Sequence, residues 1–321
     1  MMTNQPPQTP PKIAELDAES ISLDSVSLWR ITWRRLFRRK SSLVGLGIIL
    51  ILVFIALTAQ WIAPYDPLQV LIGVENVKMR QAPCIHLFGC PKDQPQHLMG
   101  IDGNVRDQFS RLLYGTRLSL IVGFSTVTFA IVIGTVLGAL GGYFGGWVDN
   151  GIMRVMDVLL AFPSLLLAIA IVTVLGPGLI NALLAIGIVS IPAYARVVRA
   201  SVLSIREMDY VSATRALGGN TNQILFGRIL PNALTPLIVQ GTLGIATAIL
   251  DAAALSFLGL GAQPPTPEWG SMLGAERNQV FTAPHLVFFP GFAIMITVLA
   301  FNLLGDGLRD ALDPRLAHSS K

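Results

Sequence analysis

The sequence predicts an all-α protein of the lipid bilayer, and three observations predict it. Of 321 residues, 52% are hydrophobic and only 13% charged, against about 25% charged in an ordinary soluble domain. Six apolar stretches reach or approach the roughly 20 residues that a helix needs to cross the hydrocarbon core. The Lys and Arg residues are spread unevenly over the segments that join those stretches.

The six predicted spans are Leu43–Ile62, Leu118–Leu140, Val158–Leu175, Leu179–Ala195, Leu234–Leu260 and His285–Leu304. The third and fourth are short, and Pro163 and Pro192 interrupt them near their ends. The first run begins after 42 residues and exceeds the about 7–15 residues of a signal-peptide core, so no removable leader is expected. Arg34, Arg35, Arg38, Arg39 and Lys40 precede it and hold the N-terminus in the cytoplasm. Six spans then put both termini inside. Of the 23 Lys and Arg residues, 16 fall on inner segments and 7 on outer ones. The net charge of +4 is therefore a topology signal; no nucleic-acid patch is visible.

Four regions follow along the chain. Residues 1–42 form a cytoplasmic tail, and 1–28, with TNQPPQTPPK near the start, cannot bury a core and are expected to be disordered. Residues 43–116 hold the first span and an extracytoplasmic loop. Residues 117–306 form the main membrane domain, with an inner loop at 207–232, and residues 307–321 are a cytoplasmic tail. The outer loop ends in RDQFSRLLYGTRLSL, where Phe109, Leu112, Leu113 and Leu120 share a face between Arg106, Arg111 and Arg117. That pattern predicts an amphipathic helix at the outer interface. Gly134, Gly138 and Gly142 recur every four residues in the second span, so another helix, of this chain or of a neighbouring subunit, can approach closely there. GGYFGGWVDN makes an inner turn, and no repeat of 20–50 residues is found.

Catalytic patterns are missing. A P-loop requires G-x-x-x-x-G-K-[ST]. Among Lys12, Lys40, Lys78, Lys92 and Lys321, only Lys40 precedes a Ser, and no Gly stands before it at the required spacing. H-E-x-x-H and G-x-S-x-G do not occur, and His86, His97, His285 and His318 form no helical pair. Cys84 and Cys90, on the outer side, have C-x5-C spacing. A disulfide closing a small loop in an oxidising compartment fits them, and a metal site using His86 is the alternative. No metal ligand set is assigned.

The inner loop is the most distinctive stretch: YVSATRALGGNTNQILFGRILPN, from Tyr210 to Asn232. Glu207–Leu217 predicts a helix that Gly218 and Gly219 stop, glycine being suited to a left-handed C-cap. Asn220 caps a second helix with Gln223 as its capping-box partner, Leu225 and Ile229 give that helix an apolar stripe, and Pro231 makes the bend into the fifth span. Two short helices at an angle would form a rigid knob able to fit a groove in a soluble partner; the plainer reading is a connector at the membrane edge.

The same stretch resembles the coupling loop of binding-protein-dependent ABC importer permeases, E-A-A-x3-G-x9-I-x-L-P. Ser212, Ala213, Thr214, Gly218, Leu230 and Pro231 fall on its register, with Ser212 for Glu, Thr214 for the second Ala and Arg228 for Ile. HLMGIDGNVRDQFSRLLYGTRLSL is similar to a stretch of the dipeptide/oligopeptide/nickel permeases, with Ile101 and Val105 in place of its Thr and Gly. GGYFGGWVDNGIMRVMDVLLAFPS, LSFLGLGAQPPTPEWGSML and FNLLGDGLRDALDPRL resemble the same family, and the closing segment resembles its second, C-type subunit. The resemblance covers nearly all of the chain from about Trp29. It implies the type I ABC importer permease fold and an ATP-driven importer of di- or oligopeptides, with nickel or another small solute as the alternative cargo. It also implies a bacterial inner-membrane location, a homologous permease, two ATP-binding subunits that carry ATP and Mg, and an extracytoplasmic substrate-binding protein. This chain would then bind no cofactor and catalyse nothing itself.

Asp251, in TAILDAAALSFLGLG, is the acid deep in the fifth span; an acid there must face protein or water. A place on the substrate pathway and a buried hydrogen-bonding role are both open. Asp157, Asp306, Arg309 and Asp310 read as interface anchors, and Arg196 and Arg199 as markers of the inner boundary. Pro264, Pro265, Pro267 and Trp269 read as a stiff outer loop with Trp at the interface. An ion-coupled carrier acting alone would need charged relays and inverted repeats, and one acid argues against it; a membrane enzyme would need catalytic pairs.

Overall fold

The computed structural model describes residues 36–37 and 39–312. The tail at 1–28, Arg34, Arg35 and Arg38 of the basic cluster, and the tail beyond Leu312 lie outside the described residues. Ten α-helices are used below: α1 Lys40–Ile62, α2 Gln108–Phe144, α3 Gly146–Leu160, α4 Ser164–Leu175, α5 Leu179–Ile205, α6 Asp209–Ala216, α7 Thr221–Ile224, α8 Leu230–Phe257, α9 Trp269–Glu276 and α10 Pro284–Leu312. No strand occurs among the described residues, as expected where each buried polar backbone group must be satisfied within its own segment.

Five helical segments are long and apolar enough to cross a membrane: α1, α2, α5, α10 and the segment Thr221–Phe257. The predicted third span is not one helix. α3 and α4 meet at 92°, and together they count as at most one broken span. Pro163 is the reason, because it has no N–H to continue the ladder and disfavours helix at the residue before it. The fourth span runs past its predicted end at Ala195 to Ile205. Hydropathy falls there, but Val198, Val202 and Ile205 remain buried, so packing carries the helix beyond the apolar window.

The glycine stripe of α2 packs within this chain, against α5. A Cβ at Gly138 would stand 2.4 Å from the Ala195 carbonyl oxygen, and one at Gly134 would stand 2.7 Å from the Tyr194 Cβ. α1 closes on α10 in the same way, where a Cβ at Gly45 would meet the Ala300 carbonyl at 2.7 Å. α8 lies against α2, α5 and α10. A charged belt ties the inner ends together. Arg199 grips Asp149 through two hydrogen bonds of 2.5 Å, Arg196 meets Asp157 at 2.6 Å, and Arg39 meets Asp310 at 2.5 Å.

The stretch RDQFSRLLYGTRLSL is not a separate interfacial helix. Asp107 accepts a 2.7 Å bond from the Ser110 amide, and α2 runs unbroken from Gln108 into the membrane. Arg106 and Arg111 are buried rather than solvated; both reach Asp102, at 2.8 and 3.4 Å. Their periodicity reads as amphipathic because the charges are neutralised by a residue of the preceding loop, not by water. Trp269 is likewise no interface anchor. It is 1% exposed, donates from Nε1 to the Leu112 carbonyl at 3.1 Å, and lies over Gly115, where a Cβ would stand 2.7 Å from its ring.

Candidate coupling site

α6 and α7 form the inner-surface feature. α6 ends in a Schellman motif: the Gly219 amide donates to the Thr214 carbonyl and the Gly218 amide to Arg215, both at 3.0 Å. Gly218 takes φ +83°, with open space around it, whereas a Cβ on Gly219 would press within 2.8 Å of the Thr214 carbonyl oxygen. The first glycine is thus required by conformation and the second by contact. Asn220 and Gln223 form a reciprocal capping box at the start of α7, with bonds of 2.8 and 3.1 Å.

The second arm differs from the predicted separate helix. After the single turn of α7 the chain widens into a π turn, Leu225–Ile229, and continues straight into α8, so that Thr221–Phe257 is one helical segment. Pro231 does not bend it. Pro231 lacks the N–H that would bond to Gly227, and the wide turn just ahead absorbs the missing bond.

The base of this feature is anchored and its tip is bare. Val211, Ile224, Leu225 and Ile229 are buried in the main core. Ser212, Ala213, Gly218 and Pro231 are exposed, Thr214 and Leu230 half-buried. Thr214 Oγ1 donates back to the Tyr210 carbonyl at 2.7 Å, and the Asn232 amide reaches the Tyr210 hydroxyl at 3.3 Å. Leu217 is 89% exposed at the tip, and Phe226, in the π turn of the second arm, is exposed as well. Sequence patterning gave no sign of these two apolar residues as surface.

Asp251 is half-buried on α8, and its carboxylate makes no hydrogen bond or ion pair among the described residues. It shares a face with Thr247, Leu250 and Ala254, which the rest of the chain leaves partly or wholly uncovered.

On the outer side Cys84 and Cys90 are joined, with Cα atoms 5.4 Å apart, and His86 Nε2 is occupied by the Gln94 carbonyl at 2.8 Å. No group of three metal-ligating side chains occurs among the described residues. The outer segment has a polar centre that sequence reasoning missed. His97 is buried between Asp107, 2.8 Å from Nδ1, and Glu75, 3.1 Å from Nε2. Tyr65 stacks on its ring and donates to Glu75 at 2.9 Å. Glu276, on α9, accepts from Arg80 and from the Gly103 amide, both at 2.9 Å. These partners are too far apart in sequence for any local pattern to reveal them.

Comparison with known proteins fits this architecture. Residues 130–318 match the family model of the binding-protein-dependent transport system inner membrane component. Residues 27–83 match the N-terminal transmembrane domain of oligopeptide transport permease C. The chain is 46% identical to a dipeptide transport system permease protein of Alkalihalophilus pseudofirmus, over 98% of this chain and 97% of that one. It is 49% identical to a di/tripeptide transport system permease protein of Pseudomonas aeruginosa, over 90% and 92%. A glutathione transport system permease protein of Pectobacterium atrosepticum is 46% identical over 90% and 91%. Among solved structures, the inward-facing MetNI methionine ABC transporter aligns with a TM-score of 0.50 at 21% identity, covering 64% of this chain and 97% of that one, which supports the fold. With helices of membrane-crossing length, an anchored inner-surface helix pair and this match along nearly its whole length, the chain belongs to the binding-protein-dependent transport system inner membrane components and is a multi-pass permease subunit of an ABC importer in the bacterial inner membrane.

Proposed function

We propose that this subunit forms half of the translocation pore of an ATP-driven importer of di- and oligopeptides, the other half being a homologous permease. Two ATP-binding subunits supply the hydrolysis and hold ATP and Mg, and an extracytoplasmic substrate-binding protein delivers the peptide. The peptide class rests on the names of the 46–49% identical relatives.

One observation carries the coupling role: a helix pair whose base is locked into the core while its surface exposes Leu217 at the tip and Phe226 on the second arm. Exposed apolar side chains on a rigid, polar-rimmed knob suit a protein groove. Ser212, Ala213 and Thr214 face that groove, Gly218 sets the angle between the arms, and Leu230 and Pro231 stand where the second arm enters the membrane helix α8. A push from an ATPase at α6 is transmitted to α8 through the buried Val211, Ile224, Leu225 and Ile229. Asp251 sits on the uncovered face of α8, where the second permease or the pathway would meet it. A lone carboxylate in a span is costly unless it faces water or a polar group, so this face lines the route of the peptide, whose terminal ammonium would suit the carboxylate.

The test is the importer reconstituted in vesicles with all its subunits. ATP-dependent uptake of a labelled dipeptide is expected, together with ATP hydrolysis stimulated by the loaded binding protein. Leu217→Asp should abolish both while the chain still inserts. Uptake and stimulation unchanged by Leu217→Asp would reject this coupling surface, and uptake of nickel but no peptide would reject the cargo.

A further inference from the structure

We propose that the cleft between α1 and the outer part of α2 is a binding site for one anionic phospholipid of the outer leaflet, its headgroup held by Arg117. The cleft has a volume of about 520 Å³ and is walled by Val53, Ala56, Leu120 and Phe124. At one end stand Gln60, Tyr114 and Arg117. A second hollow of about 470 Å³ adjoins it and shares Tyr114, Arg117 and Ile121.

Position matches the ligand. Gln60 lies two residues from the outer end of α1 at Ile62, so the polar end is at the headgroup boundary. From Arg117 to Phe124 the helix descends about 10 Å at 1.5 Å per residue, most of the roughly 15 Å that one leaflet's hydrocarbon occupies. The cleft is thus polar at headgroup level and apolar along the depth of an acyl chain.

Charge matches it as well. Arg106 and Arg111 are neutralised by Asp102. The Arg117 side chain makes no hydrogen bond or ion pair among the described residues, nor do those of Tyr114 and Gln60. A guanidinium held at the edge of the bilayer without a carboxylate calls for an anion, and its planar fork fits phosphate oxygens in pairs. Free phosphate would leave the apolar length of the cleft unfilled, and a diacyl lipid fills both parts. A helix of another subunit is the poorer occupant. The glycines of outer α2 are already covered, Gly115 by Trp269 and Gly123 by Ile249 of α8, so α2 offers the cleft no open glycine for a close helix contact. The outward face of α1 is instead bulky, with Leu57 and Trp61 exposed, the latter at the depth of an aromatic belt.

Only the membrane orientation enters here; peptide specificity does not, and lipid retention is read independently of transport. The importer, purified with its own subunits, is exchanged into mixed phosphatidylglycerol and phosphatidylethanolamine and examined by native mass spectrometry. Retained phosphatidylglycerol is expected in preference to phosphatidylethanolamine. Arg117→Gln should lower that preference about tenfold, the worth of one charge-assisted hydrogen bond. Arg117→Lys should keep most of it, and Ala56→Phe should exclude both lipids by filling the cleft. Equal retention of the two lipids by the unaltered protein, an undiminished preference in Arg117→Gln, or cross-linking of the cleft to the second permease would overturn the site.

Discussion

Gly218 and Gly219 stand side by side and are needed for different reasons, so substitutions should separate them. At Gly218 the space is open and only φ +83° matters. Asn, which tolerates the left-handed region, should keep most of the coupling, whereas Gly218→Val should cost roughly 1–3 kcal/mol of strain and re-aim α7. At Gly219 even Ala collides with the Thr214 backbone. Receptor-stimulated ATP hydrolysis in the reconstituted importer is the readout: retained in Gly218→Asn, lost in Gly218→Val and Gly219→Ala. Equal activity of all three would make the turn a passive connector. Asp251→Asn tests the pathway at the same scale. It keeps shape and removes charge, so assembly should persist while uptake falls, and normal uptake at full expression would remove Asp251 from the route. The glycine pair and the Asn220–Gln223 cap were legible because caps are written in adjacent residues. Val105 was legible only in part. The family resemblance places Gly there, and the structure holds Val at φ +56°, a strained position for a β-branched residue.

The outer segment shows where legibility ends. Its buried His97 is coordinated by side chains whose pairing depends on the folded loop, and no spacing rule links Glu75, His97 and Asp107. Burial by itself would lower the His97 pKa, but the hydrogen bonds and charges of Asp107, then of Glu75, outweigh it and raise the value above the ordinary 6.5. The same carboxylate neighbourhood, with burial as its first cause, pushes the Tyr65 hydroxyl up to about 12. A His whose folded pKa is raised contributes stability that is complete below its unfolded pKa and is lost as pH rises through the folded value. The full chain should therefore unfold at progressively lower temperature as pH is taken upward from about 6.5, the unfolded value. His97→Gln should be less stable at low pH and lack that slope. Thermal unfolding in detergent from pH 5 to 9 decides it, and parallel profiles for the two proteins would reject the charged His97. The misread helix at RDQFSRLLYGTRLSL has the same origin: Asp102 buries the two arginines, and a helix face cannot announce a partner outside the helix.

Across the whole molecule, the outer segment and the inner knob are joined by one closely packed helix pair, α2 and α5. Trp269 and Asp102 fix the head of α2, the Gly134–Gly138–Gly142 stripe fuses α2 to α5, and Arg199–Asp149 locks the inner end just ahead of α6. Under the proposed coupling role, a movement of the knob would not be taken up in this pair and would pass to α8. That view depends on contact between backbones at Gly138, where a Cβ would meet the Ala195 carbonyl at 2.4 Å, and it separates two substitutions of one kind. Gly138→Ala forces α2 and α5 apart and should destabilise the chain by roughly 1–3 kcal/mol, the range for overpacking. Gly47→Ala, on α1, meets nothing within 4 Å and should be neutral or stabilising by up to about 1 kcal/mol, the helix-propensity difference. Unfolding midpoints of the two full-length variants should therefore move in opposite directions, or fall for Gly138→Ala alone. In the reconstituted importer Gly138→Ala should also weaken the link between binding-protein stimulation and uptake, because a loosened α2–α5 pair absorbs part of the stroke. Stability and coupling unchanged in Gly138→Ala would mean that the stripe tolerates a wider helix separation, and that force reaches α8 by the inner ion pairs instead.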